Sequence, residues 1–178
     1  MPTSPRPARA AFLPLLLAGL TTLAACDTSN PGGNLDLVAG TYAVAELSFD
    51  PNTTDLSTAN VERDLDPIGT RLTIFGDDDL SLFVVQRRGA STQRIDLRTR
   101  ASRERITFEA VTREDEEDLA DLLLPSTFSL SYTGDNPNTL EGSISRSNVN
   151  LEAFDPERYE DQRSNSGRLS IRFERAGL

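Results

Sequence analysis

The stretch TQRIDLRTRASRERITFEA, residues 92–110, alternates apolar and polar side chains on both sides of a short polar turn. Ile95 and Leu97 stand between Arg94, Asp96, Arg98 and Arg100; beyond the turn, Ile106, Phe108 and Ala110 stand between Arg105, Thr107 and Glu109. Successive side chains of a strand point to opposite faces, so this pattern predicts two antiparallel strands with one buried and one wetted face. The same period recurs outward in both directions. It is carried by Leu72 and Ile74, by Leu80, Leu82 and Val84, and by Phe128, Leu130 and Tyr132. It continues at Leu140, Gly142 and Ile144 and at Leu169, Ile171 and Phe173. Regular short strands with turn signals between them predict about eight strands in a sandwich or barrel. They cover 38–49, 69–75, 80–87, 92–101, 104–111, 126–133, 139–146 and 167–175, with 148–153 as an extension of the seventh.

The first strand slips phase, because Tyr42 and Val44 share one face while Leu47 and Phe49 share the other. A bulge near Ala45-Glu46 reconciles them and bends the strand as a barrel requires. Gly76–Asp79, Arg88–Ser91 and Gly134–Asn138 read as the turns of a meander. Two places break the strand pattern. Thr112–Leu124 predicts a helix near 113–124, capped by Thr112, with Glu114–Glu117 at its positive end, an apolar stripe at Leu119, Leu122 and Leu123, and Pro125 as its stop. Asp155-Pro156 predicts a single helical turn, with Phe154 and Tyr159 placed as a hydrophobic staple. Residues 50–67 read as a long polar loop carrying Asp55, Glu62, Asp64 and Asp66.

At the N-terminus, Arg6 and Arg9 precede an apolar run from Ala10 to Leu20, broken by Pro14. The run is too short to span a bilayer and matches the apolar region of a secretory signal. Leu23-Ala24-Ala25-Cys26 follows, and it resembles the lipobox of bacterial lipoproteins. That resemblance implies a signal peptide over 1–25, a diacylglycerol on the Cys26 sulfur and cleavage just before it. It accounts for a lone cysteine in a secreted chain, which has no disulfide partner. Residues 26–36, with Pro31-Gly32-Gly33, read as a lipidated flexible tether, and 37–178 as the folded domain. The expected location is the cell membrane or outer membrane, facing the periplasm or the exterior.

The 178 residues carry 18 cations, all arginine, against 28 acids, and include no His and no Trp. No Ser-His or Cys-His nucleophile pair, no His/Cys zinc site and no lysine Schiff base can form. An acidic chain is also poorly suited to nucleic acid, where phosphate neutralisation supplies most of the affinity. The Gly76–Asp79 acids lack the spacing of a calcium loop and read as a solvated turn. Chance pairs among 28 acids are unavoidable, and no Trp is present to stack a sugar. The expectation is therefore no catalysis, no metal and no cofactor.

The segment Leu37-Val38-Ala39-Gly40-Thr41-Tyr42 resembles the Gly-x-Trp opening of lipocalin-like domains, with Tyr42 in place of the Trp. Leu72–Phe83 is similar to their second hairpin, and Leu169–Arg175 to their closing strand, which often carries an Arg against the first-strand aromatic. The resemblance covers 37–175 and implies an all-β, antiparallel up-and-down barrel of about eight strands, with a cup open at one end and the 50–67 loop as its lid. Tyr42, Phe108, Phe128, Tyr132 and Phe173 either line that cup or form a packed core. Arg94, Arg98, Arg100, Arg103 and Arg105 either dock an anionic partner or form a cross-strand lattice with Asp96, Glu104 and Glu109. Two functional expectations follow. The first is a lipid-anchored module holding a small apolar ligand or lipid. The second is an envelope structural or protein-interaction lipoprotein with a filled barrel.

Overall fold

In the computed structural model, residues 35–77, 79–134 and 137–177 are described; the signal, the lipobox with Cys26, and the tether up to Asn34 lie outside them. Leu35 and Asp36, expected in the tether, instead open a helical turn, α1 (Leu35–Val38), whose Val38 is buried. The strands follow as β1 (Gly40–Pro51), β2 (Ala59–Asn60), β3 (Arg71–Ile74), β4 (Leu80–Gln86), β5 (Thr92–Ala101), β6 (Arg105–Ala110), β7 (Thr127–Ser131), β8 (Thr139–Val149) and β9 (Asn165–Arg175). Helix α2 spans Arg113–Asp121 and α3 spans Leu151–Phe154.

Every neighbouring pair is antiparallel and sequential, and β9 returns to pair with β1. The result is a closed eight-stranded up-and-down barrel, with β2 as a small flap on the free half of β1. That half needs a partner, because β3 reaches only Gly40–Ala43 while β1 runs on to Pro51. The bulge lies where the phase slip put it: Val44 pairs with Phe173 and Glu46 with Arg172, leaving Ala45 as the extra residue. At the closing seam Gly167 faces Pro51, and a Cβ there would sit 2.2 Å from the Asp50 carbonyl oxygen. Only glycine allows β9 and β1 to approach so closely.

Three expectations are corrected. The 50–67 segment is not structureless: it carries β2 and a 3-10 turn over Val61–Asp64, and buries Ala59, Val61 and Leu65. Residues 148–153 do not all extend the seventh strand. Asn148 takes φ 58°, β8 ends at Val149, and Asn150 caps α3 by accepting from the Ala153 N–H at 3.1 Å. Leu35 and Asp36, expected in the tether, belong to α1. The single turn at Asp155 forms as expected, with its carboxylate accepting from the Arg158 N–H at 3.1 Å.

Helix α2 starts at a capping box. The Thr112 hydroxyl accepts from the Asp115 N–H, and the Asp115 carboxylate accepts from the Thr112 N–H at 2.9 Å. The other Asp115 oxygen accepts from the Asp96 N–H of β5 at 2.9 Å, so one buried carboxylate joins the helix to the barrel wall. The helix ends in a Schellman arrangement, with the Leu123 N–H to Ala120 O and the Leu124 N–H to Leu119 O, both 2.9 Å, and Leu123 at φ 60° in the position glycine usually fills. Asp115→Ala should lower the unfolding free energy in urea by about 2–3 kcal/mol, since a cap and a second buried hydrogen bond are lost together. A change under about 0.5 kcal/mol would mean that water replaces both.

Candidate functional site

Antiparallel alternation sorts the barrel into two ends. One gathers α1, the β3–β4 hairpin, the β5–β6 and β7–β8 turns and the end of β9. The other gathers the β1–β3 connection, the β4–β5 hairpin, α2 and the β8–β9 connection.

The first end is closed by an aromatic-cation pair. The Tyr42 hydroxyl donates to the Val38 carbonyl and accepts from Arg175 Nη2, both at 2.9 Å, and the guanidinium lies 5.1 Å from the ring centroid. This is the first-strand aromatic against a last-strand arginine that the lipocalin resemblance implied. Burial pushes the Tyr42 phenol above its ordinary range, and the nearby Arg175 charge partly offsets that.

The second end is where the resemblance placed an open cup. It is plugged instead. Val61 and Leu65 from the β1–β3 connection, Leu119 from α2 and Leu122–Leu124 from the turn that ends it, and Leu151 and Tyr159 from the β8–β9 connection are each at most 3% exposed and belong to the barrel core. Polar bonds latch these segments together: Arg87 Nη2 to Asp121 O at 2.9 Å, Tyr159 Oη to Ser57 O at 3.0 Å, and Arg146 Nη1 to Leu123 O at 2.6 Å.

All five candidate aromatics point inward, at 0–5% exposure. Phe108 and Phe128 stack at 5.1 Å between centroids, with 28° between planes. Phe173 meets Phe83 edge-on across the interior at 5.7 Å. The structure thus brings these side chains together as one contiguous core with Tyr42. Two of them also border outer cavities. Tyr132, whose hydroxyl donates to Ser102 O, edges a surface cavity of about 810 Å3 beside Arg103 and Arg105. Phe128 underlies a groove of about 410 Å3 between β7 and β8, which share one register pair, Ser131 with Glu141. Cys26 lies outside the described residues.

The β5–β6 hairpin presents Arg94, Arg98, Arg100, Arg103 and Arg105 to solvent. Arg94 pairs with Asp96 along its own strand at 3.4 Å. Arg98 stands opposite Glu109 in register but forms no ion pair with it. Among the described residues, the side chains of Arg98, Arg100, Arg103 and Arg105 make no ion pair or hydrogen bond. Among the described residues the expected cross-strand lattice does not form: the hairpin's ion pair, Arg94–Asp96, runs along β5. Among the described residues, no three or more His, Cys, Asp or Glu side chains stand together as metal ligands; Asp78 lies outside them.

The stripe of Leu119, Leu122 and Leu123 and the burial-prone Tyr159 were legible in the sequence, but Val61, Leu65 and Leu151, single apolar residues in polar surroundings, were not, and Arg146 was passed over. Arg146 did carry a signal, since it shares parity with Leu140 and Ile144 on the inner side of β8. In comparison with known proteins, the chain matches no family model, no curated protein and no solved structure.

Proposed function

We propose that this chain is a lipid-anchored, extracytoplasmic module of the cell envelope, without catalysis, whose barrel is a filled scaffold and whose outer face meets an anionic protein partner. The observation that carries the reading is the interior: the five aromatics are buried in one core cluster, with Phe108 stacked on Phe128 and Phe173 edge-on to Phe83, and three connections plug the end where a cup would open. A carrier needs a pocket of roughly 300 Å3 or more surrounding its ligand. The lipobox resemblance supports the anchor, and the eight-stranded meander with Arg175 on Tyr42 supports a lipocalin-like ancestry.

The face we assign to the partner is the Arg98–Arg105 hairpin. Four exposed guanidinium groups, none of them in an ion pair among the described residues, outnumber Glu104 and Glu109 on the hairpin of a chain of formal charge −10 and form a local basic patch suited to acidic side chains. Crosslinked pulldown from envelope extracts of the native host should lose its main partner when Arg98 and Arg100 are both changed to Glu. An unchanged partner list would remove the hairpin from the proposal. Native mass spectrometry of the mature protein from the same host tests the interior: a stoichiometric apolar adduct would restore the carrier reading.

A further inference from the structure

Arg146 is an inward-facing, half-buried cation at the plugged end of the barrel, on the last regular turn of β8 before the register breaks between Arg146 and Val149. A guanidinium offers five N–H donors. Among the described residues, one of them is engaged, by the Leu123 carbonyl at 2.6 Å, and no carboxylate lies within ion-pair distance. Burial alone pulls its pKa below the ordinary arginine range, with no acid to offset it. A half-buried guanidinium with one donor engaged and no carboxylate in ion-pair distance has donors left that an anion would satisfy.

The guanidinium borders a recess of about 270 Å3 at the junction of α2, β8 and α3. Leu123, Val149, Ala153 and Phe154 give it apolar walls, and Asn148 and Asn150 contribute its amides. Both amide oxygens are already engaged, Asn150 by the Ala153 N–H at 3.1 Å and Asn148 by the Ser164 hydroxyl at 3.1 Å. Each amide therefore has its NH2 left to offer. Asp121 stands at the rim and opposes a second negative charge.

We propose that this recess binds a small organic monocarboxylate, its carboxylate on the Arg146 fork and its short apolar body against Phe154 and Leu123. The planar guanidinium matches a carboxylate in a bidentate manner, and the Asp121 charge selects one negative charge over two. The proposal is independent of the anchor and of the partner assigned to the β5–β6 hairpin.

Sodium propionate is the probe, titrated calorimetrically into the full chain purified from its host, with sodium phosphate at matched ionic strength as the alternative anion. Saturable propionate binding is expected, weakened about tenfold or more by Arg146→Met, because a hydrogen bond to a charged group is lost. Ala153→Phe, at an exposed position of α3, should weaken it as much by filling the recess while leaving the Arg146–Leu123 bond intact. It decides the question should Arg146→Met fail to fold. Absence of saturable binding, equal affinity in Ala153→Phe, or phosphate binding as tightly as propionate would each overturn the assignment.

Discussion

Phe128→Ala should lower the unfolding free energy by about 3–5 kcal/mol, the loss typical of a large aromatic removed from a packed interior. Phe128 is 3% exposed and stands directly opposite Phe108 in the β6–β7 register, with the rings stacked at 5.1 Å. Its position raises the stakes. Strand β7 is only five residues long and shares one register pair with β8, so on that side it is held by side chains more than by a ladder. Removing the ring leaves a cavity beside the weakest seam of the barrel. A double-mutant cycle with Phe108→Ala should return a coupling of about 0.5–1.5 kcal/mol beyond the area lost. Urea denaturation of the two single variants and the double variant measures both quantities. A loss under about 1 kcal/mol for Phe128→Ala would mean that the β7–β8 groove lets water replace the ring, and that the interior is not the close-packed core on which the filled-scaffold reading depends.

The strands were legible because burial of one face imposes a period of two, and nothing in 92–110 or 167–175 competes with it. The bulge at Ala45 was legible for the same reason, since Tyr42 and Phe49 cannot both face inward without an extra residue between them. Helix α2 announced its start through Thr112, but it ends at Asp121 rather than the expected 124, because Leu123 at φ 60° closes it in a Schellman turn ahead of Pro125. What alternation cannot decide is whether inward side chains meet one another or surround a space. That depends on the ends of the barrel, and here the ends are closed in part by isolated residues: Val61 and Leu65 among acids, and Leu151 after an asparagine. Each is an apolar singleton whose burial is set by distant chain, so its local sequence reads as solvated loop. The same long-range placement turns Arg146 from a strand-end cation into a half-buried one, because the α2 C-terminus folds over it. Tyr42 and Arg175 are 133 positions apart, and only the analogy to a lipocalin-like closing strand brought them together in advance.

Cys26→Ser should release the protein from the membrane or leave it unprocessed. On the proposed anchoring, Cys26 would carry its diacylglycerol before cleavage of the signal, and serine offers no thiolate to accept it. The physical argument rests on what else could hold the domain. Among the described residues no helix is long and apolar enough to cross a bilayer. Cleavage before Cys26, as proposed, would remove Arg6 and Arg9 and none of the 28 acids, making the mature domain more acidic than the precursor and repelled by anionic lipid. Of the exposed large apolar side chains among the described residues, Phe75 and Leu80 flank the β3–β4 turn, and Ile68 and Val111 lie in separate loops. The proposal therefore places the attachment on acyl chains, of which two or more are needed for stable anchoring. Fractionation of cells expressing each form, followed by a high-salt wash, separates lipid anchoring from charge-mediated adhesion. The wild type should stay with the membrane through the wash and run as the mature species. The serine variant should appear in the soluble fraction or as the longer precursor. Equal retention and normal processing of both would show that Cys26 carries no lipid and that the domain is held by a partner, which returns the weight of the argument to the Arg98–Arg105 face.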